Sequence, residues 1–176
     1  MPRILLGLGS NIDPEDHLNA AAVMLRERWP DIRFSSVYRS QPWGMEDQPD
    51  FLNAVGLMDA VQSVHEVFDF LRAIEEKRNK SVAVRFGPRT LDLDLLLYGS
   101  DILPDKDEWH RRNEQAATSN YQLILPHPRM HERRFVLEPL LELLDPADMH
   151  PVLQKSWKEL LAQTENQEVQ RMPMQL

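Results

Sequence analysis

The sequence predicts an α+β domain with a mainly antiparallel sheet. Three observations predict it. Apolar periodicity switches between two and about 3.6 residues in the order strand, helix, strand, strand, helix, strand. Two long polar loops interrupt that order. The chain has 176 residues, 42% of them hydrophobic, which suits a single domain with a proper core.

Each element has a local reason. Residues 4–8 read as a first strand and Gly9-Ser10-Asn11 as a turn. Asp13 is placed to cap a helix with Pro14 at its first position, and Leu18, Ala21, Ala22 and Leu25 form its apolar stripe. Residues 32–40 read as a second strand, 41–50 as a long loop and 51–58 as a third strand. Ser63-Val64-His65-Glu66 has the capping-box pattern, and Val64, Val67, Phe68, Leu71 and Ile74 continue a helical face. Residues 78–88 form a second long loop and 89–98 the fourth strand. This βαββαβ order is the ferredoxin-like arrangement.

After Gly99 the pattern weakens. Residues 101–121 are polar and read as a surface excursion, 123–125 as a short strand, and 126–134 as a basic loop. Helical patterns return at 135–144 and at 152–163, the latter through Leu153, Trp157, Leu160 and Leu161. The expected division is one domain over residues 1–163 and a loose polar tail over 164–176.

Composition excludes several classes. With no cysteine there is neither a disulfide framework nor thiolate chemistry. The net charge of −8 argues against a general nucleic-acid binder. The opening apolar run is too short for a signal peptide, and no run approaches the ~18 residues of a membrane span. A soluble, cytoplasmic protein with no membrane partner is expected, acting as a monomer.

The most informative stretch runs from Arg85 to Tyr98, Arg-Phe-Gly-Pro-Arg-Thr-Leu-Asp-Leu-Asp-Leu-Leu-Leu-Tyr. In a strand Asp92 and Asp94 project from one face, with Leu91, Leu93, Leu95 and Leu97 toward the core. Paired carboxylates repel, and divalent cations are a common reason to tolerate that; the alternative is a solvated polar strand face. Two basic islands flank the pair. One holds Arg72, Lys77, Arg78, Lys80, Arg85 and Arg89; the other holds Arg129, Arg133 and Arg134 with two histidines. Cations beside a metal-type pair suit a small polyphosphate, unless both islands are solvated loops.

Long loops in compact domains are often functional. Phe51 and Asn53 share a strand face, so the ring can stack on a flat ligand while the amide reads its edge as both donor and acceptor. The plainer alternative is a core phenylalanine and a turn asparagine. Trp43 is either a lid or an anchor for its loop. His127 and His131 are four apart, but Pro128 disfavours one helix through both, and no His-Glu-x-x-His pattern exists. A phosphate contact for His127 and Arg133 fits the nearby cations better than zinc. Phe135 either faces a ligand or starts a core helix.

Four stretches carry a resemblance: Gly9-Ser10-Asn11, Asp47 through Asn53, Phe86 through Asp94, and Pro126 through Phe135. In these stretches and their order the chain resembles the 6-hydroxymethyl-7,8-dihydropterin pyrophosphokinases of folate biosynthesis. The resemblance implies a ferredoxin-like core and transfer of the β,γ-pyrophosphoryl group of ATP to the pterin hydroxymethyl oxygen, with AMP released. It implies two Mg2+ ions on Asp92 and Asp94, phosphate contacts from Arg89, His127 and Arg133, and Glu75 near the nucleotide. It implies a pterin held between Phe51 and Phe135, with Asn53 on its edge and Ser40, Pro42 and Trp43 lining the pocket. The expected partners are the two small molecules ATP and hydroxymethyl dihydropterin.

The chain departs from the family where a Gly-Arg-x-Arg stretch is usual. Here Lys80 stands at the first arginine, taken as a catalytic position, and Val82 at the second. Lysine lacks the planar two-bond fork of arginine. A catalytically weak paralogue that binds pterin or ATP for regulation is therefore the alternative reading. An RNA-binding module on the same sheet is a third, opposed by the acidic charge and the absent aromatic motif.

Overall fold

Alternation along the strands sets the architecture. In the computed structural model, which describes residues 1–42, 47–78, 90–114 and 123–176, every strand pair is antiparallel. Strand β1 (Arg3–Ser10) is central, flanked by β5 (Asp92–Tyr98) and β4 (Phe51–Asp59). The order continues through β3 (Tyr38–Ser40) to β6 (Val169–Arg171), with β2 (Arg33–Phe34) beside the far end of β4. Helices α1 (Pro14–Arg28) and α2 (Val64–Arg78) supply the two crossovers. The ferredoxin-like α+β expectation holds.

Two cores result. Ile4, Leu6 and Leu8 of β1 join Leu52, Ala54, Leu93 and Leu95 beneath α1 and α2. Leu5, Val55, Leu57, Leu96 and Leu97 face the other way, onto α4 (Arg134–Leu140) and α5 (Trp157–Ala162). The capping box forms as expected: Ser63 Oγ accepts from the Glu66 amide at 3.3 Å, and Glu66 accepts from the Ser63 amide at 2.8 Å. Asp13 differs. Its backbone is left-handed, at φ 42°, and its side chain makes no cap bond.

Other expectations change, among them the helix expected over 152–163, which begins only at Trp157. The single strand over 32–40 is two strands, because Ser35 Oγ takes the bond from the Val55 amide and diverts the chain between them. The fourth strand carries an irregularity: Leu5 pairs with Leu97 but Leu6 with Leu95, leaving Leu96 extra. That slip turns Leu97 to the opposite face from Leu93. The polar excursion contains α3 (Lys106–Glu114), whose Trp109 is fully buried. The loose tail contains β6, which pairs residues 169–171 with 38–40, while Met172, Met174 and Leu176 pack on the core beneath α1 and α2. Polar composition concealed it because an edge strand buries little; Gln170 and Arg171 are exposed.

Candidate active site

Glycine opens the site. Asp92 and Asn53 both lie opposite Gly9, and Asp94 lies opposite Gly7, so this row shares one face of the sheet. It is the face that α4 and α5 cover further along. A side chain at Gly7 would meet Leu96 at 3.4 Å, so that position is filled by its neighbour. Gly9 leaves a slot between Asp92 and Asn53, where a Cβ would come within 3.4 Å of Asn53 Oδ1 alone. Asn53 is buried, and its Nδ2 donates to Ser40 Oγ at 2.9 Å and to the Tyr38 carbonyl at 3.4 Å. The donor end is thus committed to the protein, and the acceptor oxygen looks toward the slot. The sequence alone leaves both ends available.

The basic loop closes the other side. The amide of His127 donates to the carbonyl of the extra residue Leu96 at 2.9 Å, which brings His127 Nε2 to 3.6 Å from Asp94 Oδ1. Burial, and then the neighbouring Arg133 guanidinium, push the His127 imidazole down to about 3. It is therefore neutral at pH 7, and its contact with Asp94 is not an ion pair. Burial also lowers Arg133, while Asp94 and Asp92 act to hold its charge. The Arg133 guanidinium sits 5.7 Å from the Phe135 ring centroid, at the start of α4.

Behind β5 sits Glu75, which is 6% exposed. Its Oε1 accepts from the Leu93 amide at 2.7 Å and its Oε2 from Arg72 at 2.6 Å. It therefore holds the strand between the two aspartates. Burial, then the Asp92 carboxylate, push its pKa up to about 8. Sequence reasoning places Arg72 in a basic island but misses its pairing with Glu75, for which the i,i+3 spacing on a helix was the available signal.

Two residues that the sequence assigns only to a turn bond to backbone far away in the chain. Ser10 Oγ donates to the Thr90 carbonyl at 2.5 Å, and Asn11 Nδ2 to the Pro49 carbonyl at 2.9 Å. Phe51 lies opposite Ser40 at the open end of β4, and Pro42 follows on the same segment. Trp43, Lys80 and Arg89 lie outside the described residues. The structure thus gathers Asp92, Asp94, His127, Arg133, Asn53 and Ser40 about one face.

The donor set fits magnesium. Among the described residues no three His, Cys, Asp or Glu side chains converge as a metal cage. Two carboxylates on one strand face are what a magnesium ion needs when phosphate oxygens and water complete its shell.

An antiparallel α+β domain whose open face joins paired carboxylates to arginine and histidine has the make-up of an enzyme handling phosphorylated small molecules. A family model described as 7,8-dihydro-6-hydroxymethylpterin-pyrophosphokinase matches residues 5–145, and the chain belongs to that family. It is a pyrophosphokinase of folate biosynthesis, with ATP and small-molecule substrates.

Relatives named 2-amino-4-hydroxy-6-hydroxymethyldihydropteridine pyrophosphokinase agree. The protein of Haemophilus influenzae is 37% identical over 78% of this chain and 79% of its own length. That of Pseudomonas aeruginosa is 35% identical over 97% of both chains. A crystal structure of Plasmodium falciparum HPPK-DHPS superposes with a TM-score of 0.66 at 13% identity. It covers 92% of this chain but only 45% of the Plasmodium chain, so it supports the fold alone. Among the described residues no helix is long and apolar enough to cross a membrane.

Proposed function

We propose that the chain transfers the β,γ-pyrophosphoryl group of ATP to the hydroxymethyl oxygen of 6-hydroxymethyl-7,8-dihydropterin, giving the pterin diphosphate and AMP. One observation carries the reading: Asp92 and Asp94 share the open sheet face, and His127 approaches Asp94 to 3.6 Å. Family membership supplies the substrates.

The residues take complementary parts. Asp92 and Asp94 would hold two Mg2+ ions, which would supply neutralisation of phosphate charge and a lowered pKa for an alcohol nucleophile. Arg133 supplies fixed positive charge to the phosphates, and neutral His127 offers a hydrogen bond without adding charge. Arg89 and Lys80 are assigned to the same phosphates from the 78–88 loop and its end. Glu75 borders the nucleotide side, where it keeps the Leu93 amide and both aspartates in place.

The pterin lies between Phe51 and Phe135. Asn53 Oδ1 accepts a ring N–H, with Ser40 fixing that amide and with Pro42 and Trp43 lining the pocket. Stacking supplies affinity, and the single acceptor supplies orientation. The chain acts as a cytoplasmic monomer without a nucleic-acid partner, which size-exclusion chromatography checks for the oligomeric part.

Turnover with ATP, magnesium and the hydroxymethyl dihydropterin tests the reaction. AMP and a pterin diphosphate are expected as the products. ADP with a pterin monophosphate would refute pyrophosphoryl transfer.

A further inference from the structure

We propose that α3 is a clamp that presets the phosphate-binding loop, with Trp109 and Asn113 as positioning residues for nucleotide binding. The inference rests on the reading of His127 and Arg133 as phosphate contacts.

The helix has the sequence Lys-Asp-Glu-Trp-His-Arg-Arg-Asn-Glu, and its one large apolar side chain is wholly buried. Trp109 packs with Ile124 and Val152 in a small separate cluster. Its indole N–H does more than pack, donating to the carbonyl of Pro126 at 2.6 Å. Pro126 directly precedes His127. One turn along the helix, Asn113 Oδ1 accepts from the backbone amide of Arg129 at 3.2 Å. Residues four apart share a helix face, so one face holds the loop at two points on either side of His127.

The loop needs holding there. Arg129 adopts a left-handed backbone at φ 67°, which a residue with a side chain takes up only when its surroundings impose it. Other elements fix the rest of the segment. Leu96 binds the His127 amide, and Gln167 Nε2 donates to the Glu132 carbonyl at 2.6 Å. The Trp109 ring also lies 5.8 Å from that of His131, which stands in the chain between His127 and Arg133. A loop ordered before its ligand arrives loses less conformational freedom on binding. The clamp therefore acts on nucleotide affinity without touching the nucleotide.

Calorimetry with magnesium and the α,β-methylene analogue of ATP tests the clamp on the full chain. Trp109→Phe keeps the buried ring and removes the donor; Asn113→Ala removes the acceptor from a partly exposed site. Each variant should bind the analogue roughly 3- to 10-fold more weakly, the range for one buried hydrogen bond. Pterin affinity at saturating analogue should be unchanged. His127→Ala serves as the reference for the site itself.

Wild-type analogue affinity in both clamp variants, with affinity lost in His127→Ala, would reject the clamp and leave the site reading intact. Wild-type affinity in His127→Ala would reject both. Equal losses for analogue and pterin would also overturn the clamp, because α3 would then only support the fold. Should Trp109→Phe fail to fold, Asn113→Ala decides the question alone.

Discussion

The two faces of the sheet are built from the same strands and end differently. Beneath α1 and α2, every inward position from Ile4 to Leu8 on β1 and from Leu91 to Leu95 before and along β5 is a buried aliphatic. On the opposite face, Leu5, Leu57 and Leu97 give way along the strands to Gly9, Asn53, Asp92 and Asp94. The helices α4 and α5 cover only the apolar end. Burying carboxylates under a third helix would require pairing or neutralising them. The lesson is that a sheet face becomes a site where its alternation changes partner, from apolar against apolar to apolar against polar.

The sharpest contrast is in stability. Leu6→Ala on the sealed face should cost about 2–5 kcal/mol in urea unfolding, the range for a buried leucine truncated in a packed core. Near-neutral behaviour would break the claim that this face is the main core.

Titration separates the regions next. The His150 imidazole, buried among Trp109, His131 and Trp157, accepts two backbone amides and is pushed down to about 3 by burial, then by His131. A depressed folded-state pKa means its stabilising contribution is full above pH 6.5 and is lost as pH falls toward 3. Glu75 has the opposite sign. Raised to about 8, it favours the folded state below pH 4.5, and that contribution is lost as pH rises through 8. Melting temperature against pH should therefore fall at both ends. His150→Asn should make the acid limb shallower, with His127 supplying part of what remains, and Glu75→Gln should flatten the alkaline limb.

A smaller effect belongs to the open face. Phe51→Ala or Phe135→Ala should weaken pterin binding by roughly 1–3 kcal/mol, in the range for losing a stacking aromatic. ATP binding should change little in calorimetric titration. Equal losses for both ligands would make the rings supports for the core. Smallest is Ser63→Ala at the start of α2, which should cost about 1 kcal/mol of stability through the lost cap and leave turnover unchanged.

The sequence made the βαββαβ order legible because apolar period and capping signals agree at each element, as at Ser63 and Glu66. The aspartate pair was legible because period-two alternation is short-range. The fate of Leu97 was not, because one extra residue at Leu96 reverses the face of its successor. Nor was β6, whose partner β3 lies 131 residues away at the Arg39 and Gln170 pairing. Trp109 stood in the sequence as a lone aromatic among charges. Its burial depends on Ile124 and Val152, which local pattern does not bring near. The commitment of the Asn53 donor to Ser40 required the register of two strands.

The central claim is that the open face carries the reaction through Asp92 and Asp94. Turnover and magnesium-free thermal melts of Asp92→Ala and Asp94→Ala test it together. Loss of metal-dependent turnover is predicted in each variant, with a cooperative melt retained in the absence of magnesium. Turnover near that of the wild type in either variant would contradict the account.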